Sequence, residues 1–481
     1  AIKVAEKLNW YYSDPDNKAD EYDLGSLYNL LGVLYHSQSK PDKAEKCYLA
    51  AIEIIEHLVE KNADVYEPYL AMSYNNVGAF YSDHGQHEKA EKYYLAAIEI
   101  RERLAKKNAD AYEPDLAGSY NNVGIFYYKQ NLSEKAEKCY LAAIEIYERL
   151  VKKNADAYEP DLAGSYNNAG VFYKNQGQPD KAEKYYLDAI EIYERLVKKN
   201  ADAYEPDLAG SYNNAGVFYD DQNQPDKAEK YYLAAMEIRE RLVEKNADAY
   251  EPYLADSYNN AGNFYKKQGQ SDKAEKYYFT AIEIYERLVE KNADAYEPDL
   301  AGSYNNAGVF YKDQGQPEKA EKYYLAAIEI RERLVEKNAD AYEPDLADSY
   351  NNAGGFYDDQ NQPDKAEKYY LDAMEIRERL VEKNADAYEP DLAMSCNNVG
   401  TFYAIQGQPG KAEKYFLAAI EIRERLVEKN ADTYEPDLAA SYISYYLLKE
   451  DETYLDKAYE IAKRRQDDPR CRYIVEIVES M

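Results

Sequence analysis

Small and aromatic residues recur along the chain at helical spacing, in blocks of fixed length. One block runs from Glu297 to Tyr342, "EPDLAGSYNNAGVFYKDQGQPEKAEKYYLAAIEIRERLVEKNADAY". Tyr304, Ala307, Gly308 and Tyr311 line one side of a first helix. Ala320, Tyr324, Ala327, Ile328 and Leu334 line one side of a second, longer helix. Between them "DQGQP" stops one helix, and Pro317 restarts the chain. Pro298 reads as the opening of the first helix, where a missing N–H needs no partner. Asp299 then lies favourably near that helix's positive end.

The block repeats without slippage. "KNAD" or its close copy places Asn at 62, 108, 154, 200, 246, 292, 338, 384 and 430, always 46 residues apart. A fixed period of this size signals a solenoid, because neither helix of a unit buries its apolar stripe without stacked neighbours. A single core would also be unusual for 481 residues, since cores stop growing at roughly 250–300 residues. The expected architecture is an all-α solenoid with nine units over residues 21–434. A degenerate tenth follows over 435–466, its first helix altered to "SYISYYLLKEDE", then a capping helix over 467–481. Residues 1–20 read as an N-terminal helix with the lone Trp10 as a cap residue. Because the chain begins at Ala1 rather than Met, that helix reads as the end of a missing upstream region.

These residues resemble the tetratricopeptide repeat. Counted from Ala301, the family's small and aromatic landmarks fall on Gly308, Tyr311, Gly315, Ala320, Tyr324 and Ala327. The sequence departs from the pattern at Ala307, where a bulky residue is usual, and in lacking the terminal proline. Its second helix runs on for extra turns, past the family's usual unit of about 34 residues. The long unit, with "NN" and "AIEIRERL", is similar to the kinesin light chain subgroup and its bacterial relatives. The resemblance implies a right-handed superhelix with a concave groove that holds peptides or extended segments.

The units can be compared with one another. At the place of Gly302 stand Ser26, Met72, Gly118, Gly164, Gly210, Asp256, Asp348 and Met394. At the place of Val309 stand Val33, Ala79, Ile125, Asn263, Gly355 and Thr401. At the place of Asp313 stand Ser37, Asp83, Lys129, Asn175, Lys267 and Ile405. These places form one narrow stripe on the first helix. "KAEK", charged and expected to be exposed, stays constant in all nine units, so the stripe reads as a diversified binding face rather than uniform drift. A second variable place, on the second helix, holds Ile55, Arg101, Tyr147, Tyr193, Arg239, Tyr285, Arg331, Arg377 and Arg423. Arg and Tyr are frequent interface anchors, and a snorkelling surface side chain is the alternative.

Paired asparagines bracket the stripe. A constant amide suits recognition of an extended peptide, since it bonds any backbone N–H and C=O while its neighbours choose the sequence. The alternative is an inter-helix bond that fixes packing. One asparagine of each pair is expected to serve each role. The second members, Asn76, Asn122, Asn168, Asn214, Asn260, Asn306, Asn352 and Asn398, are the ligand candidates. With them we group Asp256, Asp348, Asn263, Lys129, Lys267, Arg239, Arg331 and Arg377 as candidate partner contacts.

A net charge of −32 opposes phosphate backbones and anionic lipid and favours a basic partner, although solubility alone also accounts for it. Four scattered cysteines form no disulfide framework and fit a reducing, cytoplasmic setting. No phosphate loop, zinc-protease helix or nucleophile elbow appears, so neither catalysis, a metal nor a cofactor is expected. The sequence therefore points to a scaffold that binds a protein or peptide. It could be the sensor arm of a larger signalling protein, and the competing reading is a solenoid that assembles with itself.

Overall fold

The computed structural model of the protein describes residues 21–37, 40–466 and 468–480. The expected N-terminal helix over 1–20, with Trp10, lies outside these residues. Among the described residues there are 21 helices and no strand. The fold is an all-α solenoid of stacked helix pairs, grouped in two compact bodies that meet in sequence at Ala215 and Gly216. Within each body consecutive helices pack together, and first helices of successive units also touch directly.

In the unit quoted above, the helices span Ala293–Asp313 and Pro317–Lys337, 21 residues each. The first helix opens five residues earlier than Pro298. Its cap is Asn292, with φ −155 and ψ 88, the sole residue between it and the preceding helix. The Asn292 N–H donates to the Leu288 carbonyl at 2.9 Å, closing the helix behind. In equivalent linkers the asparagine side chain also accepts the N–H three residues on, as at Asn108 and Asn246, 3.3 Å each. One asparagine thus ends one helix and starts the next. Pro298 is tolerated inside because the carbonyl it leaves unbonded belongs to exposed Asp294, where water can reach it.

The turn inside each unit needs a left-handed residue. Gly315 takes φ 65 there, and the same place is Asn131, Asn223 or Asn361 in other units, with φ 54 to 56. Glycine and asparagine are the residues that tolerate this conformation.

The two helices of a unit approach through a glycine. A Cβ on Gly308 would lie 2.8 Å from the ring of Tyr324, and the same contact joins Gly262 to Tyr278 and Gly400 to Phe416. Ala320 and Ala327 are fully buried beside it. Successive units are joined by a polar clasp. The Tyr311 hydroxyl donates to Glu275 of the preceding unit at 2.8 Å. Lys319 lies 3.6 Å from the same carboxylate and 4.6 Å from the centre of the Tyr311 ring.

Glu275 and Lys319 both belong to "KAEK" segments, and the clasp recurs at Tyr357, Glu321 and Lys365. The constancy of "KAEK" therefore has a structural cause. It does not measure how fast free surface diverges, so the contrast drawn from it loses its force.

Replacing Gly308 by Ala should lower the melting temperature, because overpacking a core of this kind costs about 1–3 kcal/mol. Gly302, whose added Cβ would meet nothing within 4 Å, should give an unchanged or raised melting temperature on the same substitution. Equal effects at the two sites would remove the glycine–tyrosine contact as the packing constraint.

Candidate binding face of the first helices

The stripe places are where the first helices face one another. Asp299, Gly302, Asn306, Val309 and Asp313 follow helical spacing along one line, with Asn305 beside it. Asp299 lies six residues past the start of the helix, so its place on this line outweighs any interaction with the helix dipole. The sequence reading missed it as a face residue. The signal was present: its place is Asp in most units and Tyr69 or Tyr253 in others, one turn before the variable stripe.

Several predicted residues pair across neighbouring units. Lys267 reaches Asp220 at 3.0 Å and Lys129 reaches Asp83 at 3.8 Å. Asn263 accepts from the Tyr278 hydroxyl at 2.7 Å inside its own unit. Asp256 accepts from the Tyr285 hydroxyl, and Asp348 pairs with Arg377. Ile405, in contrast, is 67% exposed on the same line.

The arginines of the second variable place point inward. Arg239, Arg331 and Arg377 are buried, Arg377 with only 2% of its surface exposed. Each donates to a backbone carbonyl of the following first helix: Tyr253 and Asp345 at 2.7 Å, Asp391 at 3.1 Å. Each also donates to a serine on that helix: Ser257, Ser349 and Ser395. As placed, they hold the frame of the face rather than stand on it.

The asparagines take two arrangements. Asn76 donates to Asn29 at 3.3 Å, Asn122 to Asn75 at 3.4 Å, Asn352 to Asn305 at 3.2 Å and Asn398 to Asn351 at 2.9 Å. In these pairs the second asparagine of one unit bonds the first asparagine of the unit before. Elsewhere the first asparagine bonds a serine of the next unit: Asn121 to Ser165 and Asn167 to Ser211 at 2.6 Å, Asn259 to Ser303 at 2.7 Å. There the oxygens of Asn121, Asn167 and Asn259 are buried without a donor. Asn168, Asn214 and Asn306, all half-buried, make no side-chain hydrogen bond to the described residues. Asn260 has its own interactions.

The face is acidic, and Asp161, Asp207, Asp299 and Asp391 are solvent-exposed residues with neighbouring protein displacing part of the water around them. Surrounding protein raises the carboxyls of Asp161, Asp207 and Asp391 above their ordinary value. Asp299 is pushed up to about 6, first by this shielding and then by the charge of Asp256. Burial likewise pushes the Cys139 thiol up to about 11 and Cys396 to about 12, so neither is a ready thiolate. No disulfide joins the cysteines among the described residues, and none of the four is exposed. No cluster of three or more His, Cys, Asp or Glu that could hold a metal occurs among the described residues. No described helix is long and apolar enough to cross a membrane.

Comparison with known proteins agrees with this architecture. Tetratricopeptide repeat models match residues 23–103, 161–241, 207–287 and 299–379, and a second such model matches 116–154 and 392–430. No curated protein matches the chain. Among solved structures, BtubC (BKLC) from P. vanneervenii is similar at 26% identity and a TM-score of 0.43, covering 52% of this chain and 92% of its own. Aspartyl phosphate phosphatase F from Bacillus subtilis is similar at 18% identity and a TM-score of 0.47, covering 85% and 96%. The human IFIT1 dimer with PPP-AAAA is similar at 16% identity and a TM-score of 0.44, covering 99% and 93%. With the repeat models spanning most of its length, and its helix pairs stacked in the same phase, this chain belongs to the tetratricopeptide repeat family.

Proposed function

We propose that the protein is an interaction scaffold whose first-helix faces bind an extended, basic segment of a protein partner. The observation that carries this reading is the line of exposed aspartates, Asp161, Asp207 and Asp299, beside half-buried asparagine amides. A row of like-charged carboxylates on one face attracts a cationic segment more strongly than a single carboxylate does. An amide with both groups unused bonds a peptide backbone without regard to its sequence. Asp161, Asp207 and Asp299 would meet lysine or arginine side chains, while Asn168, Asn214 and Asn306 would hold the backbone. Variable neighbours such as Asp256, Asn263, Lys129, Lys267 and Ile405 would then set which sequence fits. The same acidic field works against nucleic acid and anionic lipid. The role is one of binding rather than catalysis, suited to a sensor arm in the cytoplasm.

The competing reading, assembly with copies of itself, draws on exposed apolar side chains that recur on the second helices. Leu95 and Leu141 show them in one body, Leu325 and Leu417 in the other. Sedimentation velocity over a range of concentrations separates the two. A single monomeric species leaves the scaffold reading, and concentration-dependent growth favours assembly.

A fluorescein-labelled ten-lysine peptide tests the scaffold. Binding should be measurable at low salt and weaken steeply as salt is added. Replacing Asp161, Asp207 and Asp299 together by Asn should reduce affinity about tenfold or more. Absence of binding at low salt would retire the basic-peptide reading.

Asp299 adds a pH dependence with two opposite signs. Its folded carboxyl titrates near 6, against about 4 in an unfolded chain. Its contribution to stability is therefore fully present below about pH 4 and lost as pH rises through 6. Peptide affinity should instead rise between pH 5 and 7.5 as the carboxylate forms. In Asp299→Asn the melting temperature should exceed that of the parent at pH 7.5, and the difference should vanish near pH 4. A difference independent of pH would show that Asp299 titrates normally.

A further inference from the structure

The two asparagine arrangements are sorted by the residue at the second variable place. Where it is tyrosine, at Tyr147, Tyr193 and Tyr285, the first asparagine of the preceding unit bonds the serine. Where it is arginine, at Arg101, Arg331 and Arg377, the second asparagine is tied to the first asparagine of the preceding unit. The unit after Ile55 also takes the tied form, with the Ser73 oxygen buried and unpartnered.

The direction of the serine proton accounts for the sorting. In the tyrosine units, Ser165, Ser211 and Ser303 donate to the carbonyl four residues back, Asp161, Asp207 and Asp299, at 2.8 to 3.0 Å. The tyrosine hydroxyl donates elsewhere, to Pro114 and Pro160 at 3.3 Å from Tyr147 and Tyr193, and to Asp256 from Tyr285. Each serine oxygen is then an acceptor, and it draws the Nδ2 of the neighbouring asparagine. Arginine changes both ends of this arrangement. Its guanidinium takes the same backbone carbonyl, as Arg331 takes Asp345 at 2.7 Å, and also donates to the serine oxygen. A guanidinium has no acceptor, and beside it the serine proton turns toward another oxygen. The last repeat shows where: Ser441, held by Arg423, donates to the Oδ1 of Asn397 at 3.4 Å. An asparagine whose oxygen faces inward can then accept the Nδ2 of the next unit's second asparagine.

The geometry points to the Arg/Tyr residue as a positioning residue that decides which asparagines can hold a ligand. Tyr147, Tyr193 and Tyr285 leave Asn168, Asn214 and Asn306 open to an extended peptide backbone, and arginine ties the equivalent amide into the array. This deepens the scaffold reading and rests on it for the ligand. It assigns the buried arginines an indirect role, since they never touch the peptide. It also predicts that peptide contacts are concentrated in the tyrosine units instead of being spread evenly over the repeats.

Two arms test it with the full chain. The first uses no ligand: a crystal structure of Tyr285→Arg should show the introduced guanidinium on Ser303 and the Asn306 amide on Asn259. The reciprocal Arg331→Tyr should move Asn305 onto Ser349 and release Asn352. An Asn259–Ser303 bond that persists beside the new arginine would overturn the relay. The second arm measures the labelled ten-lysine peptide. Replacing Asn168, Asn214 and Asn306 by Ala should weaken binding about tenfold or more in the parent chain. In a chain already carrying Tyr147→Arg, Tyr193→Arg and Tyr285→Arg, the same replacement should change affinity by less than about twofold. Comparing the alanine effect within each background cancels the charge that the arginines add. An equal loss in both backgrounds would overturn the assignment. No binding in either background, with the crystal arm as expected, would overturn the peptide ligand and leave the relay standing.

Discussion

The contact of an aromatic ring with a bare glycine sets how closely the two helices of every unit approach. With no Cβ at Gly308, the ring of Tyr324 lies against the first helix itself. Phe416 makes the same contact at Gly400 without a hydroxyl, so the ring and not its polar end is the requirement. Such close approach leaves room nearby only for small side chains, and Ala320 and Ala327 supply them. Close packing transmits any change in helix spacing to the neighbours. An unchanging 46-residue phase is the consequence, because an inserted residue would turn every contact face out of register.

Polar groups then fasten units together at places where the apolar stripes cannot reach. The Tyr311–Glu275–Lys319 clasp does so on one side of the helix pair, and the asparagines and serines do so on the other. Buried polar atoms need partners, and this need distinguishes the two sides. The clasp is satisfied in the same way wherever it recurs. The asparagine row is not: it has two solutions, and one leaves the oxygens of Asn121, Asn167 and Asn259 without a donor. A recurring frame with locally unsatisfied amides is what a backbone-binding scaffold requires, since the frame must hold its form while the amides await a partner.

Charge on this protein does different work in different places. Many acidic side chains are paired along the helix surfaces, as Glu329 is with Arg333 and Asp294 with Lys337. Exposed pairs of this kind contribute little stability each. The aspartates near the paired asparagines are also exposed, but neighbouring protein displaces part of their water and raises their carboxyls above the usual range. A raised carboxyl marks electrostatic stress on its ionised form. The net charge alone could not have located that stress.

The sequence by itself determined the period, the two helices of each unit, the break between them at "DQGQP" and the tetratricopeptide landmarks. These follow from spacing within some twenty residues and from the few residue types that tolerate a given backbone. The linker asparagines were equally visible in "KNAD", yet Pro298 was taken as the helix start because proline favours first turns. The pair Asn305–Asn306 was legible as a feature of the face, although its two members could not be told apart by their bonds. Only the tertiary structure decided that Arg239, Arg331 and Arg377 are buried. It also decided which amides are tied, because the direction of each asparagine depends on a serine 44 residues away and on the arginine or tyrosine that holds that serine. Hydrogen-bond direction is set by neighbours in space, and in a stacked array those neighbours belong to other repeats.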